Sequence, residues 1–317
     1  MQKSDDYKNY IVFPLDFDSK EEAFKYVKIL DGKVGIFKIG LELFIKEGPD
    51  VVKTIKNMSS AGIFLDLKLH DISVTVQKAM QSAVSLGVDL ITVHCSSLKM
   101  LKMAVIGGAG KANVLGVTLL TDNDADDLKA AGFKDEYYND VKTLVLKRAQ
   151  MAYHAGCAGI VCSGREVEKV KKEFGENFLC VTPGIRPVWS SPDNDDQKRI
   201  TTPAMAVKSG ADLIVIGRPI RDADDPARAA QKIAEEIKGI CNDSGLEKRV
   251  RLRNFHDELL NRYEVRLSGP SHILGRLKQL WAQMISSFPG QEKLLKKILK
   301  SKTLEDYRKV VDQIFSA

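Results

Sequence analysis

The chain has 317 residues, 44% of them hydrophobic and 28% charged, with only 10 prolines, which excludes collagen-like, disordered and disulfide-scaffold proteins. Its formal net charge of +6 is unevenly spread: residues 1–245 hold 33 Lys and Arg against 34 Asp and Glu, whereas 246–317 hold 15 against 8. No run nears the roughly 18 apolar residues of a membrane span, and the polar stretch Met1–Asn9 lacks the apolar core of a signal peptide, so a cytoplasmic protein without a membrane partner is expected.

Short apolar, β-branched runs recur through the first 220 residues: Ile11–Leu15, Val34–Ile39, Ile63–Leu67, Leu90–His94, Asn113–Leu119, Ala158–Cys162, Phe178–Thr182 and Leu213–Ile216. Helical spacing fills the intervals; in Glu21–Leu30, for example, Ala23, Phe24, Val27 and Leu30 share a face. Eight mostly non-alternating strands separated by helices predict an α/β fold, a closed (β/α)8 TIM barrel, ahead of a doubly wound open sheet. The glycine-rich Gly107–Ala112 segment lacks the Ser/Thr of a phosphate loop and precedes a strand, so it reads as a turn. The five cysteines form no C-x-x-C pair and the five histidines are scattered, which predicts reduced, buried thiols and no structural metal.

Beyond residue 240 the pattern changes. Leu252–Glu264, His272–Ser287, Gln291–Ser301 and Leu304–Phe315 have helical spacing and no strand pattern. The expected organisation is a barrel over 1–240, a linker over 241–247 and a basic, all-α helical extension over 248–317.

Chemistry in a barrel of this type sits at the C-terminal ends of the strands. The first run ends in Leu15-Asp16, the second in Lys38-Ile39-Gly40, and the third in Asp66-Leu67-Lys68-Leu69-His70-Asp71. Asp66 and Lys68 are two apart on a strand and so point the same way. Alternating Lys38, Asp66, Lys68 and Asp71 can compensate one another's burial, as a structural ion-pair network would. The array also has a chemical meaning. A lysine between carboxylates stays protonated and can protonate a carbanion, while a fixed Asp crowds an anionic group that leaves as CO₂. That chemistry requires no cofactor. The seventh run leads into Thr182-Pro183-Gly184-Ile185-Arg186 and the eighth into Gly217-Arg218-Pro219-Ile220, the usual phosphate cradle of such barrels. His70 is expected to hydrogen-bond and orient the charge array, His94 to be a wall residue, and Trp189 to be partly exposed on a polar segment.

These segments, with Phe37–Phe44, Gly116–Thr121 and Asp196–Arg199, make residues 10–239 resemble the orotidine 5′-phosphate decarboxylase family. The resemblance implies a lyase that turns orotidine 5′-monophosphate into UMP in pyrimidine biosynthesis without metal or cofactor. It assigns Lys38, Asp66, Lys68 and Asp71 to the catalytic set, with Lys68 protonating C6. Asp16 and Lys38 would hold the ribose, Thr121 the pyrimidine, and Gln197, Gly217 and Arg218 the phosphate, with Arg186 beside them. It also implies a homodimer in which Asp71 and Thr75 reach the partner's site, and a closing loop over Val188–Arg199. The tail is similar to the helical tRNA-binding module of tRNA-dihydrouridine synthases; packing or assembly, with its charges as a solvated face, is the favoured role, and an RNA contact the competing one. The competing functions for the whole chain are a Mg²⁺-dependent sugar-phosphate decarboxylase or aldolase of the same barrel type, and a catalytically dead barrel carrying an RNA-binding tail.

Overall fold

A computed structural model describes residues 6–190, 201–267, 269–288 and 290–316, and only the backbone of 242–251 and 316. The chain falls into two compact units, Met1–Ile240 and Cys241–Ala317.

In the first unit the eight apolar runs become eight strands: β1 Ile11–Pro14, β2 Ile36–Ile39, β3 Gly62–Leu69, β4 Leu90–His94, β5 Asn113–Val117, β6 Gly159–Val161, β7 Leu179–Thr182 and β8 Leu213–Val215. All neighbours are parallel and in sequence order, and β8 pairs with β1 to close the barrel. Val12, Ile36, Phe64, Leu90, Leu115, Leu179, Val181 and Leu213 meet as one buried interior cluster. Because side chains alternate along a strand, Pro14, Lys38, Asp66 and Thr92, each two residues further on, also face inward, one layer nearer the C-terminal mouth.

Helices cover the outside, and their ends follow the sequence. Ser19 caps Lys20–Leu30 by accepting from Glu22 N, and Thr202 caps Pro203–Lys208 by accepting from Met205 N. The Gly107–Ala112 stretch is a turn, as expected: helix Leu98–Gly108 ends at left-handed Ala109 and Gly110 before β5. Gly107 has a packing role, since a Cβ there would lie 2.5 Å from the Gln77 carbonyl of the adjoining helix. Cys95, Cys157, Cys162 and Cys180 are buried and Cys241 half-buried, all as free thiols, and burial pushes the Cys157 thiol up to about 12. Among the described residues no helix is long and apolar enough to cross a membrane.

Among its described residues the second unit is built of helices, comprising the end of helix Pro226–Arg266 and helices Pro270–Met284, Glu292–Lys300 and Leu304–Ser316. Trp281 and Tyr307 are fully buried in its core with Leu277, Phe288, Ile298 and Ile314. The backbone of 241–247, expected to be a linker, lies inside the Pro226–Arg266 helix. Its Asn, Asp, Ser and Gly carry helix penalties of at most about 1 kcal/mol each, too small to stop a helix already running on an Ala- and Lys-rich segment.

Candidate active site

The mouth of the barrel holds a chain of alternating charges. Lys38 and Asp66 are nearly buried, at 9% and 8% exposure. Lys38 Nζ lies 3.0 Å from Asp16 Oδ1 and 3.5 Å from Asp66 Oδ2, and Lys68 Nζ lies 2.9 Å from the same Asp66 oxygen. Burial pushes the Asp66 carboxyl upward. Lys38 and Lys68, with hydrogen bonds from Lys68 and Thr92, outweigh it and hold the group below its ordinary value. Asp66 is therefore an anion, held between two ammonium groups.

The end of β3 is not a regular strand. Lys68 has φ of +50°, in the left-handed region that side-chain-bearing residues avoid. The pairing of β3 with β4 shifts between Leu65 and Leu69. Strained backbone of this kind concentrates at functional sites because the surroundings must hold it there.

The β7 and β8 ends complete the rim. A cleft of about 390 Å³, within the range of small-molecule sites, is lined by Asp16, Lys38, Asp66 and Lys68, and also by Thr121, Arg186, Gly217 and Arg218. Gly217 is required where β8 meets β1, since a Cβ there would fall 2.9 Å from Pro14 Cγ. Arg186 is 5% exposed, its amide donating to Thr201 O. Eight of the expected site residues thus share one cavity with an anionic and cationic array on one arc and guanidinium groups on another.

Asp71 and Thr75 are exposed and do not line this cleft; the Asp71 carboxylate accepts from Ile72 N at 2.6 Å. Gln197 and most of the Val188–Arg199 loop lie outside the described residues. Trp189 is 39% exposed, with Lys232 Nζ 4.6 Å from its ring centre. His94 is a half-buried wall residue of an adjacent cavity, and burial lowers its pKa. His70 departs from expectation. Its Nε2 pairs with Ser96 Oγ at 2.8 Å and its ring stands 5.5 Å from that of His94. Two residues were missed. Arg221 lines the cleft one helical turn after Arg218, and Thr92 supports the array from β4.

A sequence profile of the Orotidine 5'-phosphate decarboxylase / HUMPS family matches residues 9–233. This chain belongs to that family. It is 49% identical over 233 residues to an orotidine 5′-phosphate decarboxylase of Desulfosudis oleivorans, covering 73% of this chain and 94% of that protein. A second relative of the same name, from Pelobacter propionicus, is 42% identical over 75% of this chain and 98% of its own length. The crystal structure of orotidine 5′-phosphate decarboxylase from Lactobacillus acidophilus superimposes with a TM-score of 0.62 at 35% identity, covering 72% of this chain and 99% of that one. The family match ends at residue 233, before the second unit begins.

Proposed function

We propose that this chain decarboxylates orotidine 5′-monophosphate to UMP in pyrimidine biosynthesis. The observation that carries the reading is Asp66, buried and ionised between Lys38 and Lys68 at the barrel mouth. Asp16 and Lys38 bind the ribose, Thr121 meets the pyrimidine, and Gln197, Gly217 and Arg218, with Arg186 nearby, hold the phosphate. The Asp66 carboxylate crowds the substrate carboxylate. As the bond from C6 to the carboxyl carbon breaks, its electron pair stays on C6, CO₂ departs, and the repulsion is relieved. The Lys68 ammonium then gives its proton to C6. The test is UMP formation in the presence of EDTA. Turnover should survive the chelator, whereas loss of turnover would favour the Mg²⁺-dependent sugar-phosphate enzymes of the same barrel type. A folded protein with no turnover at all would favour the dead-barrel reading.

The active form is proposed to be a homodimer in which Asp71 and Thr75 complete the partner's cleft. Supporting this, both residues lie outside the cleft of their own chain, and the flanking Ile72 and Val74 are 73% and 52% exposed. A cytoplasmic location fits the five free thiols.

The barrel unit is proposed to carry the whole reaction, and the helical unit to contact RNA phosphates. Favouring that contact, Lys293, Lys296, Lys297 and Lys300 of one helix are all exposed, and among the described residues no carboxylate pairs with them. A tRNA gel shift that weakens with salt and disappears when these lysines become glutamines is the expected result. Absent or salt-independent binding would assign the unit to packing or assembly.

A further inference from the structure

Thr92 stands on β4 with no exposure to solvent and does not line the cleft. Its hydroxyl lies 2.8 Å from Asp66 Oδ1, to which it donates, and it accepts from the Lys68 amide at 2.9 Å. Strand register explains why this side chain has both tasks. Leu65 pairs with Ile91 and Leu69 with Val93, so three residues of β3, Asp66 to Lys68, stand against Thr92 alone. The excess chain is a bulge, and Lys68 takes φ of +50° inside it. A side-chain oxygen, and not a strand carbonyl, then receives the Lys68 N–H. A hydroxyl has one proton and two lone pairs, so donating to Asp66 leaves an acceptor facing Lys68. With Oδ1 held, the carboxylate presents Oδ2 to both ammonium groups, 2.9 Å from Lys68 Nζ and 3.5 Å from Lys38 Nζ.

We propose that Thr92 is a positioning residue for the reaction, its hydroxyl locking the left-handed backbone of Lys68 and the rotation of the Asp66 carboxylate into one arrangement. The proposal rests on the decarboxylase reading of the cleft. The β-branch of threonine restricts rotation about its Cα–Cβ bond, which aims the hydroxyl in advance. Thr92 needs no contact with substrate to affect rate, because a lysine displaced by a fraction of an ångström no longer meets the developing carbanion.

The test compares Thr92→Val, which keeps the shape and loses the hydroxyl, with Thr92→Ser, which keeps the hydroxyl. In steady-state decarboxylation of orotidine 5′-monophosphate, the valine variant should lose about 10- to 100-fold in kcat with KM within about threefold of native. The serine variant should recover to within about threefold in kcat. A native kcat in the valine variant, equal losses in both variants, or a loss confined to KM would overturn the proposal. Should the valine variant fail to fold, Ser against Ala at position 92 isolates the same hydroxyl. Hydrogen exchange at the Lys68 amide supplies an arm independent of substrate: slow in the native and serine proteins, fast in the valine or alanine variant. If the native protein forms no UMP but this exchange pattern holds, the decarboxylase reading fails and the pin stands. If exchange at Lys68 is indifferent to the hydroxyl, the pin fails whatever the substrate.

Discussion

The Lys68 ammonium lies 2.9 Å from the carboxylate of Asp66, two residues earlier on the same strand, although Lys68 itself holds a left-handed backbone. Catalysis and stability therefore make opposite demands at position 68. Lys68→Ala and Lys68→Gly should both reduce turnover at least ~10³-fold by removing the proton donor. Glycine pays no steric penalty at φ of +50°, so Lys68→Gly should unfold about 1 kcal/mol later than Lys68→Ala. Turnover assays and thermal or urea melts on the pair check both statements. A glycine variant no more stable than the alanine one would show that the strain is relieved elsewhere.

Gly40 lies just beyond β2, and a Cβ there would stand 2.9 Å from Asp16 Oδ1 and 3.3 Å from Lys38 Nζ. Its φ of −90° is open to any residue, and the atoms it would meet are the ends of flexible side chains. The fold can absorb Gly40→Ala, but the ion pair cannot stay in place. The expected outcome is a melting temperature close to native with kcat/KM reduced about 10-fold or more. Native kinetics in this variant would show that the Asp16–Lys38 contact can shift without consequence.

If Asp71 serves the partner's cleft, Lys68→Ala and Asp71→Ala damage opposite chains of each site. Each variant alone should be inactive. Mixed in equal amounts and allowed to exchange subunits, they should regain activity, with about a quarter of all sites intact. The titration of activity against mixing ratio is the measurement. Two inactive proteins that stay inactive after verified exchange would place Asp71 in the same cleft as its own Lys68.

The barrel was legible because its strands are short apolar runs of Val, Ile and Leu that end in charge. Period-two alternation from Ile36 and Phe64 brings Lys38 and Asp66 to the interior of the mouth, and the structure has them there. Alternation could not reveal the bulge. Asp-Leu-Lys-Leu contains no glycine to announce a left-handed residue, and the register shift depends on β4, 26 residues away. Thr92 was hidden for the same reason, as an ordinary member of a buried strand. The hydrogen bond of His70 to Ser96 was not legible either, because it joins the end of β3 to a residue 26 positions away, beyond β4. The helical breakers at 241–247 misled by composition, a weaker force than the helix around them.

The second unit contains its own polar device. His256, 1% exposed, pairs through Nδ1 with Asp257 Oδ1 at 2.8 Å and through Nε2 with the Tyr307 hydroxyl at 2.7 Å, and Trp281 Nε1 donates to that hydroxyl at 2.7 Å. The indole can only donate, so Tyr307 accepts from Trp281 and gives its own proton to Nε2, which leaves the His256 proton on Nδ1 facing Asp257. A second proton on His256 would turn Nε2 into a donor and leave the Tyr307 proton without an acceptor. Burial lowers the His256 pKa; Asp257 and Asp312 oppose this and Arg253 adds to it, and the value stays below that of an ordinary histidine. A base lowered by folding contributes stability that is complete above its unfolded pKa of about 6.5 and is lost as pH falls below that toward the folded value. The sequence has two tryptophans, so Trp189→Phe leaves Trp281 as the reporter of this unit. Its fluorescence melt should have a lower midpoint at about pH 5.5 than at about pH 7.5. Tyr307→Phe should cost about 1–3 kcal/mol at the higher pH, because it orphans two buried ring nitrogens. Its pH dependence should also be smaller, since there is then no hydroxyl proton left to strand. Equal midpoints at the two pH values in the parent would mean that folding does not lower the His256 pKa, and a higher midpoint at about pH 5.5 would mean that His256 is protonated in the folded unit with Asp257 as its counterion.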